Sequence, residues 1–168
     1  MNEHPKKPFL HVVVCAAGIA GDAHKLITAA QERGWGGGVV ATPQGLGFLD
    51  VEAIEGRTGY PIRSAWRSPG KPRPLPPADA LAVAPATFIT VNKWAAGIAD
   101  TLALGILCEA YGMGIPAYGW SLERLRSMGV LVGSYEPHRP KAGGGADRFR
   151  WEEALELLGP VLSGAAGT

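Results

Sequence analysis

The sequence predicts a doubly wound α/β domain, and three observations carry that prediction. Short apolar runs recur along the chain, at Phe9–Cys15, Gly38–Ala41, Ala80–Ala84 and Ile115–Tyr118. Segments with helical spacing of apolar residues lie between them. Most runs end in small or turn-forming residues that open into the next helical segment. Strands that are apolar on both faces and alternate with helices belong to a parallel sheet covered on both sides.

Each element follows from local chemistry. Phe9–Cys15 (FLHVVVC) is a near-continuous apolar run with three valines, and reads as a buried strand. A loop of small residues, 16–21, follows it. Asp22–Glu32 reads as a helix with Leu26, Ile27 and Ala30 on its inner face and Gly34 as its stop. Gly38–Ala41 is the second strand, ended by Thr42-Pro43, and Gly45–Glu55 is a weaker helix with Gly56 after it. Ile62–Trp66 is a short third strand. The segment 68–78 holds Pro69, Pro72, Pro74, Pro76 and Pro77, a density no helix or central strand tolerates, so it reads as an exposed loop, partly polyproline-like. Ala80–Ala84 is the fourth strand. Helices at Thr90–Ala99 and Leu102–Tyr111 follow, then a fifth strand at Ile115–Tyr118. Ser121 can cap a helix to Met128, and Val130–Val132 is a sixth strand. A Pro/Gly-rich loop at 136–146 reads as mobile, and Trp151–Leu158 is an amphipathic helix. The expectation is one Rossmann-like, flavodoxin-like domain over 1–168, with a parallel sheet of about six strands.

Composition narrows the function classes. With 168 residues, 46% hydrophobic and 18% charged, the chain can build one real core. A net charge of +1 points to neither nucleic acid nor an anionic membrane. Gly and polar residues interrupt every apolar run, so no span of a bilayer is expected, and the charged start does not read as a signal peptide. Two cysteines, Cys15 and Cys108, are too few for a disulfide framework or a metal cluster, so no metal is expected. A cytoplasmic setting fits best.

In an open parallel sheet, ligands bind at the carboxyl edge. Gly18 lies where the first strand turns into the first helix. Gly18-x-x-Gly21 lacks the first glycine of the dinucleotide fingerprint, and no Gly-Lys-Ser/Thr follows, so it is neither that motif nor a P-loop. A tight turn is the equal alternative. Thr42 ends the second strand, and Thr87 and Thr90 follow the fourth. Small residues and hydroxyls from three strand ends suggest a phosphate-bearing ligand with a flat ring, held mostly by backbone. Cys15 and Cys108 read as packing residues. His24 and Lys25 read as solvated surface, and Trp94 as core or interface. Tyr118 and Trp120 are candidates for stacking.

The run Pro85-Ala-Thr-Phe-Ile-Thr-Val-Asn-Lys-Trp-Ala-Ala-Gly-Ile-Ala-Asp-Thr-Leu102 resembles the Pro-Ala-Ser-Ala-Asn-Thr segment of the homo-oligomeric flavin-containing cysteine decarboxylases. That family includes phosphopantothenoylcysteine decarboxylase and lantibiotic-type peptidyl-cysteine decarboxylases and, more distantly, flavin prenyltransferases. Asn92-Lys93, Ala95, Gly97-Ile98 and Asp100 fall in register, and Val39–Pro43 and Phe48-Leu49 also fit. The resemblance runs from about Leu10 to Val132. It implies an FMN-binding fold, with Ala17, Gly18 and Ile19 along the cofactor and Thr42 and Gln44 on the loop after the second strand. Thr87, Phe88, Ile89 and Thr90 would cover the phosphate and ring region, with Ala117 near the ring. It also implies a homo-oligomer, a trimer or dodecamer of trimers, with the flavin at a subunit interface.

The departures are as specific as the match. The family's essential His falls at Lys71, and there is no His between His24 and His138. Its carboxylate-binding Asn falls at Ile89. Its Pro-x-Met-Asn-x-x-Met-Trp clamp has no counterpart around Ile115–Trp120, and Ala117-Tyr118-Gly119 holds the place of the prenyltransferase arginine. Lys71 and His138 are the weak candidates for a catalytic acid/base. The expected function is an FMN flavoprotein with altered or lost decarboxylase chemistry. A divergent decarboxylase of a C-terminal or pantothenoyl cysteine is the alternative, with Arg63 or Arg73 holding the carboxylate. A non-catalytic flavin carrier or partner subunit is the third.

Overall fold

The computed structural model describes residues 7–112, 117–118, 126–127, 129–133 and 150–163. Four parallel strands form one sheet in the order β2-β1-β3-β4: β1 (Phe9–Val14), β2 (Gly36–Ala41), β3 (Ala80–Val83) and β4 (Ala117–Tyr118). The chain winds outward from β1 to β2, then returns to lay β3 on the other side of β1. The order therefore reverses between β1 and β3.

Helices cover both faces. Leu10, Val12 and Val14 of β1 pack with α1 (His24–Glu32), α2 (Val51–Thr58) and α5 (Glu153–Ser163), where Leu26, Ile27, Ile54 and Leu158 are buried. Phe9, Val13 and Cys15 face the other way. There they meet α3 (Phe88–Ala95) and α4 (Leu102–Gly112), with Trp94 and Leu107 buried. Alternation along a single strand thus feeds two cores, as the apolar run requires.

Helix ends obey local rules. Asp50 caps α2 by accepting from Ala53 N at 3.0 Å, and Gly59 takes φ 75° just beyond the helix. At the end of α3, Ile98 N donates to Lys93 O and Gly97 N to Trp94 O, with Gly97 at φ 73°. This is a Schellman closure, and only glycine adopts that φ freely.

The sheet corrects the expected count: the described residues give four strands rather than about six. The third expected strand, 62–66, contributes one bridge, between Arg63 and Val40. Ile62 N is diverted to Glu55 Oε1 at 2.9 Å, and the ring of Trp66 lies against Gly105 of α4, so the segment leaves the sheet on both sides of Arg63. Leu131 likewise forms a bridge without a strand. The weak helix expected at 45–55 is a 3-10 turn at Gly45–Phe48 followed by α2, so Gly56 lies inside a helix and not after one. The helix α3 starts two residues earlier than expected and ends earlier, at Ala95. Of the helix expected at 121–128, only residues 126–127 are described, and they are helical. The 136–146 loop lies outside the described residues.

The proline-rich segment is less free than its composition suggests. Ser68–Lys71 form a turn with Gly70 at φ 80°, closed by Lys71 N donating to Ser68 O at 3.3 Å. Pro at the second turn position and Gly at the third define a type II turn. Leu75 is buried against Gly38, and His11 donates from Nε2 to Pro76 O at 2.9 Å. Residues 60–78 therefore form a strap along β2 and back toward the start of β3.

His11 has a measurable consequence. Burial pushes its pKa below the ordinary 6.5, the Pro76 bond partly opposes this, and the nearby Arg63 charge adds to the lowering. The folded state binds the proton less well than the unfolded chain does. Stability from this one group is therefore full above about pH 6.5 and is lost as pH falls from there through the lowered folded-state value. His11→Gln keeps a donor for Pro76 O without a titration. Urea midpoints at pH 7.5 and pH 5 should differ less for His11→Gln than for the parent chain, and an unchanged difference would remove His11 as a source of acid sensitivity.

Candidate functional site

The carboxyl edge of the sheet is where the described loops converge. Beyond the strand ends the ladder continues: Thr42 N donates to Val14 O at 2.9 Å, Ala84 N to Val13 O at 3.0 Å, and Cys15 N to Pro85 O at 3.1 Å. The last bond ties the loop after β1 to the loop after β3. Those loops flank the point where strand order reverses, the place where open α/β sheets form a ligand crevice. The Ala84–Pro85 peptide is cis.

The loop after β1 turns sharply, with Ala17 N donating to Cys15 O and Ala20 N to Ala17 O, both at 2.9 Å. The N–H groups of Ala16, Gly18 and Ile19 have no partner among the described residues. A Cβ built on Gly18 meets nothing within 4 Å, and Gly18 is not at positive φ. Neither packing nor backbone strain within the chain demands glycine there. Across the crevice, α3 begins at Thr87 without a side-chain cap. The Thr87 hydroxyl donates to Thr90 Oγ1 at 3.1 Å, leaving the N–H groups of the first turn unpartnered among the described residues. Two sets of backbone donors thus bracket one crevice, and the helix adds its positive end.

The other candidates are placed unevenly. Thr42 is buried, and its Oγ1 accepts from Gly45 N at 3.0 Å, so it braces the turn with its oxygen while its proton stays available to donate. A Cβ on Gly45 would lie 2.6 Å from Val14 O, so only glycine fits. Gln44 is exposed at the start of that 3-10 turn. Ala17 and Ile19 are half-buried beside the crevice, and Thr90 is buried. Phe88 and Ile89 are 70% and 69% exposed. Ala117 pairs with Leu81, two residues short of the end of β3 and so below the edge. Lys71 closes the strap turn and is exposed. Trp120 and His138 lie outside the described residues.

Cys15 is fully buried, which supports its reading as core, and burial pushes the Cys108 thiol pKa up. Among the described residues no group of acidic, His and Cys side chains is arranged to hold a metal, and no helix is long and apolar enough to cross a membrane. Two features escaped the sequence reading. A cavity of about 300 Å³ opens between the starts of α1 and α2, lined by Gly21, His24, Asp50, Ala53, Ile54 and Arg57. Arg67 also joins Arg63 and Arg73 on the strap. Cation density with no intervening carboxylate was the signal for that group.

No protein-family model and no curated protein sequence matches the chain. Solved structures do. A mutant PPC decarboxylase aligns with a TM-score of 0.67 at 18% identity, covering 94% of this chain and 99% of that one. The FMN-dependent cysteine decarboxylase TvaF from thioviridamide biosynthesis aligns at 0.64 and 21% identity, covering 95% and 98%. AnUbiX, in complex with FMN and dimethylallyl pyrophosphate, aligns at 0.61 and 15% identity, covering 94% and 92%. The chain therefore has the α/β fold shared by flavin-containing cysteine decarboxylases and their structural relatives. The expected parallel-sheet class is borne out, with fewer strands than expected among the described residues.

Proposed function

We propose that the chain is an FMN-binding flavoprotein of the cysteine-decarboxylase fold, with chemistry other than cysteine decarboxylation. The observation that carries the reading is the crevice between the β1 and β3 loops. Backbone N–H groups unpartnered among the described residues line both sides of it, and one wall is a glycine that neither packing nor φ among the described residues requires. Such donors suit a phosphate, because each N–H satisfies an anionic oxygen and the helix end adds favourable potential. Residues 16–19 and 87–90 would hold the FMN phosphate, and Thr42 would contribute one hydroxyl proton. Bound FMN supplies one- and two-electron redox chemistry. The protein's own part is to orient the ring and exclude water.

The decarboxylase half of the site is what the sequence lacks. Ile89 projects no hydrogen-bond donor from a position where a carboxylate would need one, and it is exposed. Exposed Phe48, Phe88 and Ile89, at the turn after β2 and the start of α3, fit a second copy of the chain closing over the crevice, which is the homo-oligomer proposed here.

The test is a visible spectrum of the purified protein, followed by mass analysis of released chromophore. Flavin bands and the mass of FMN are expected, together with no carbon dioxide release from cysteine-ended peptides or phosphopantothenoylcysteine. Carbon dioxide release would install the divergent decarboxylase in its place. Colourless protein that also refuses added FMN would sink the flavin reading.

A further inference from the structure

The strap is fixed unevenly along its length. Its outgoing limb is tied down by backbone: Ile62 N donates to Glu55 Oε1, Arg63 N to Val39 O, and Ala41 N to Arg63 O. Its far end is equally secure, since Asp79 N donates to Phe9 O and Phe9 N to Asp79 Oδ2. The returning limb between them, residues 72–78, makes no backbone–backbone hydrogen bond among the described residues. Pro72, Pro74, Pro76 and Pro77 have no N–H to offer. Two contacts seat this limb: Leu75 fills the space over Gly38, and His11 Nε2 donates to Pro76 O at 2.9 Å.

The first contact is a socket left by missing side chains. A Cβ on Gly38 would lie 2.8 Å from Leu75 Cδ2 and 3.3 Å from Phe9 Cε1, and one on Gly36 would lie 2.7 Å from Phe9 Cδ2. Alternate residues of β2 thus leave one face bare, and Leu75 and the Phe9 ring occupy the room. Such a socket can be vacated without moving the sheet, because β2 stays paired with β1 from Gly36 to Ala41 through backbone.

The second contact depends on a proton. A carbonyl oxygen only accepts, so Nε2 carries the hydrogen in the bond to Pro76 O, and the neutral ring presents a lone pair at Nδ1. That atom is buried and has no hydrogen-bond partner among the described residues. Protonation would place a charged N–H there, in a residue only 7% exposed, with nothing to accept from it. The surroundings do not compensate. Phe9 sets its ring edge-on to both the imidazole and Tyr60, and the register partners of His11 are Gly38 on β2 and Leu81 on β3. From the strap, Arg63 opposes a second positive charge. Asp79, the one carboxylate in 60–79, is engaged by Phe9 N at 2.7 Å. The helices on that face bring Lys93, paired with Asp100, then Cys108, half-buried, and Glu109, exposed.

We propose that residues 72–78 form a pH-sensitive flap, latched to the sheet by neutral His11 and lifted from β2 when that ring is protonated, while the rest of the domain stays folded. The turn at Ser68–Lys71, with Gly70 at φ 80°, is one hinge, and Asp79 is the other. The sign follows from the contacts. The seated form tolerates only the neutral ring and the lifted form accepts either, so acid favours lifting. Where only the lifted form holds the proton, the ratio of lifted to seated chain rises about tenfold for each unit of falling pH. Lifting uncovers the bare face of Gly36 and Gly38 and the Phe9 ring beside it. A segment with so few tertiary bonds opens locally without melting the core.

The test is methyl and aromatic NMR of the full chain from about pH 7.5 to about pH 5. Contacts between the Leu75 methyls and the Phe9 ring should fade as the pH falls, with the Leu75 shifts moving toward those of an unstructured leucine. Methyls of Leu26, Ile54 and Leu158, in the core on the opposite face of the sheet, should hold their positions. The Leu75 movement should share its midpoint with the titration of the His11 ring protons. In His11→Gln, whose amide still donates to Pro76 O without titrating, the limb should stay seated throughout. Leu75 contacts that persist until the whole domain unfolds overturn the proposal, as does a loss of the opposite core in the same step. Lifting in His11→Gln at the parent's pH also overturns it. If that variant does not fold, the parent chain decides alone, since a His11 titration displaced from the Leu75 movement removes the latch.

Discussion

Replacing Gly18 by aspartate is expected to weaken FMN binding at least a hundredfold, about 3 kcal/mol. The new carboxylate would stand in a loop whose N–H groups at Ala16, Gly18 and Ile19, without a partner among the described residues, define the proposed phosphate cradle. Two negative groups about 5 Å apart in a partly desolvated crevice repel by that order of energy. Gly18→Ala is the steric control. A Cβ there meets nothing within 4 Å, and φ is not in the left-handed region, so folding should be untouched, and any loss of affinity, set by how closely the ligand approaches the glycine, should be smaller than that of the aspartate variant. Titration followed by flavin fluorescence reads both. An aspartate variant that binds FMN like the parent would move the cofactor away from this edge.

Trp94→Ala is expected to cost about 3–5 kcal/mol of stability, enough to leave a domain of this size marginal or unfolded. Trp94 is 1% exposed on the inner face of α3, packed among the side chains between that helix and the sheet. Truncation would leave a cavity that the rigid sheet cannot collapse to fill. Its indole Nε1 is buried without a partner among the described residues, so part of the residue's burial works against the fold. Trp94→Phe removes that orphaned donor along with some volume, and should cost less than about 1.5 kcal/mol. Urea unfolding of the two variants checks both figures. Equal losses would mean that the ring's bulk is not what α3 contributes.

The parts of the fold legible in the sequence were those written in local pattern. The runs containing Val12–Val14, Val39-Val40 and Ala80–Val83 announce buried strands, and the small residues after them announce the loops at the switch point. Gly34 marks the end of α1 because only its φ requires glycine. What was not legible depended on distant partners. Ile62–Trp66 has the composition of a strand, but Glu55 takes the N–H of Ile62 and Gly105 offers Trp66 a seat, and neither is visible from the segment itself. The proline-rich stretch looked like a solvated loop because nothing local shows that Leu75 meets Gly38 or that Pro76 meets His11. At the site, backbone donors were foreseeable from small residues at strand ends. The inward turn of the Thr42 hydroxyl was not, since it depends on the tight approach of Gly45 to Val14 O.

The bond from Cys15 N to Pro85 O joins residues 70 positions apart, with α1, β2, α2 and the whole strap threaded between them. A nascent or partly melted chain holding only β1 and β2 has one wall of the crevice and nothing opposite it. A ligand gripped by both walls can therefore bind only after the long excursion has closed, and its binding energy is returned to every contact that closure requires. In such a molecule the proposed flavin would act as the last fastening of the fold. Its supply would then govern how much of the folded protein survives.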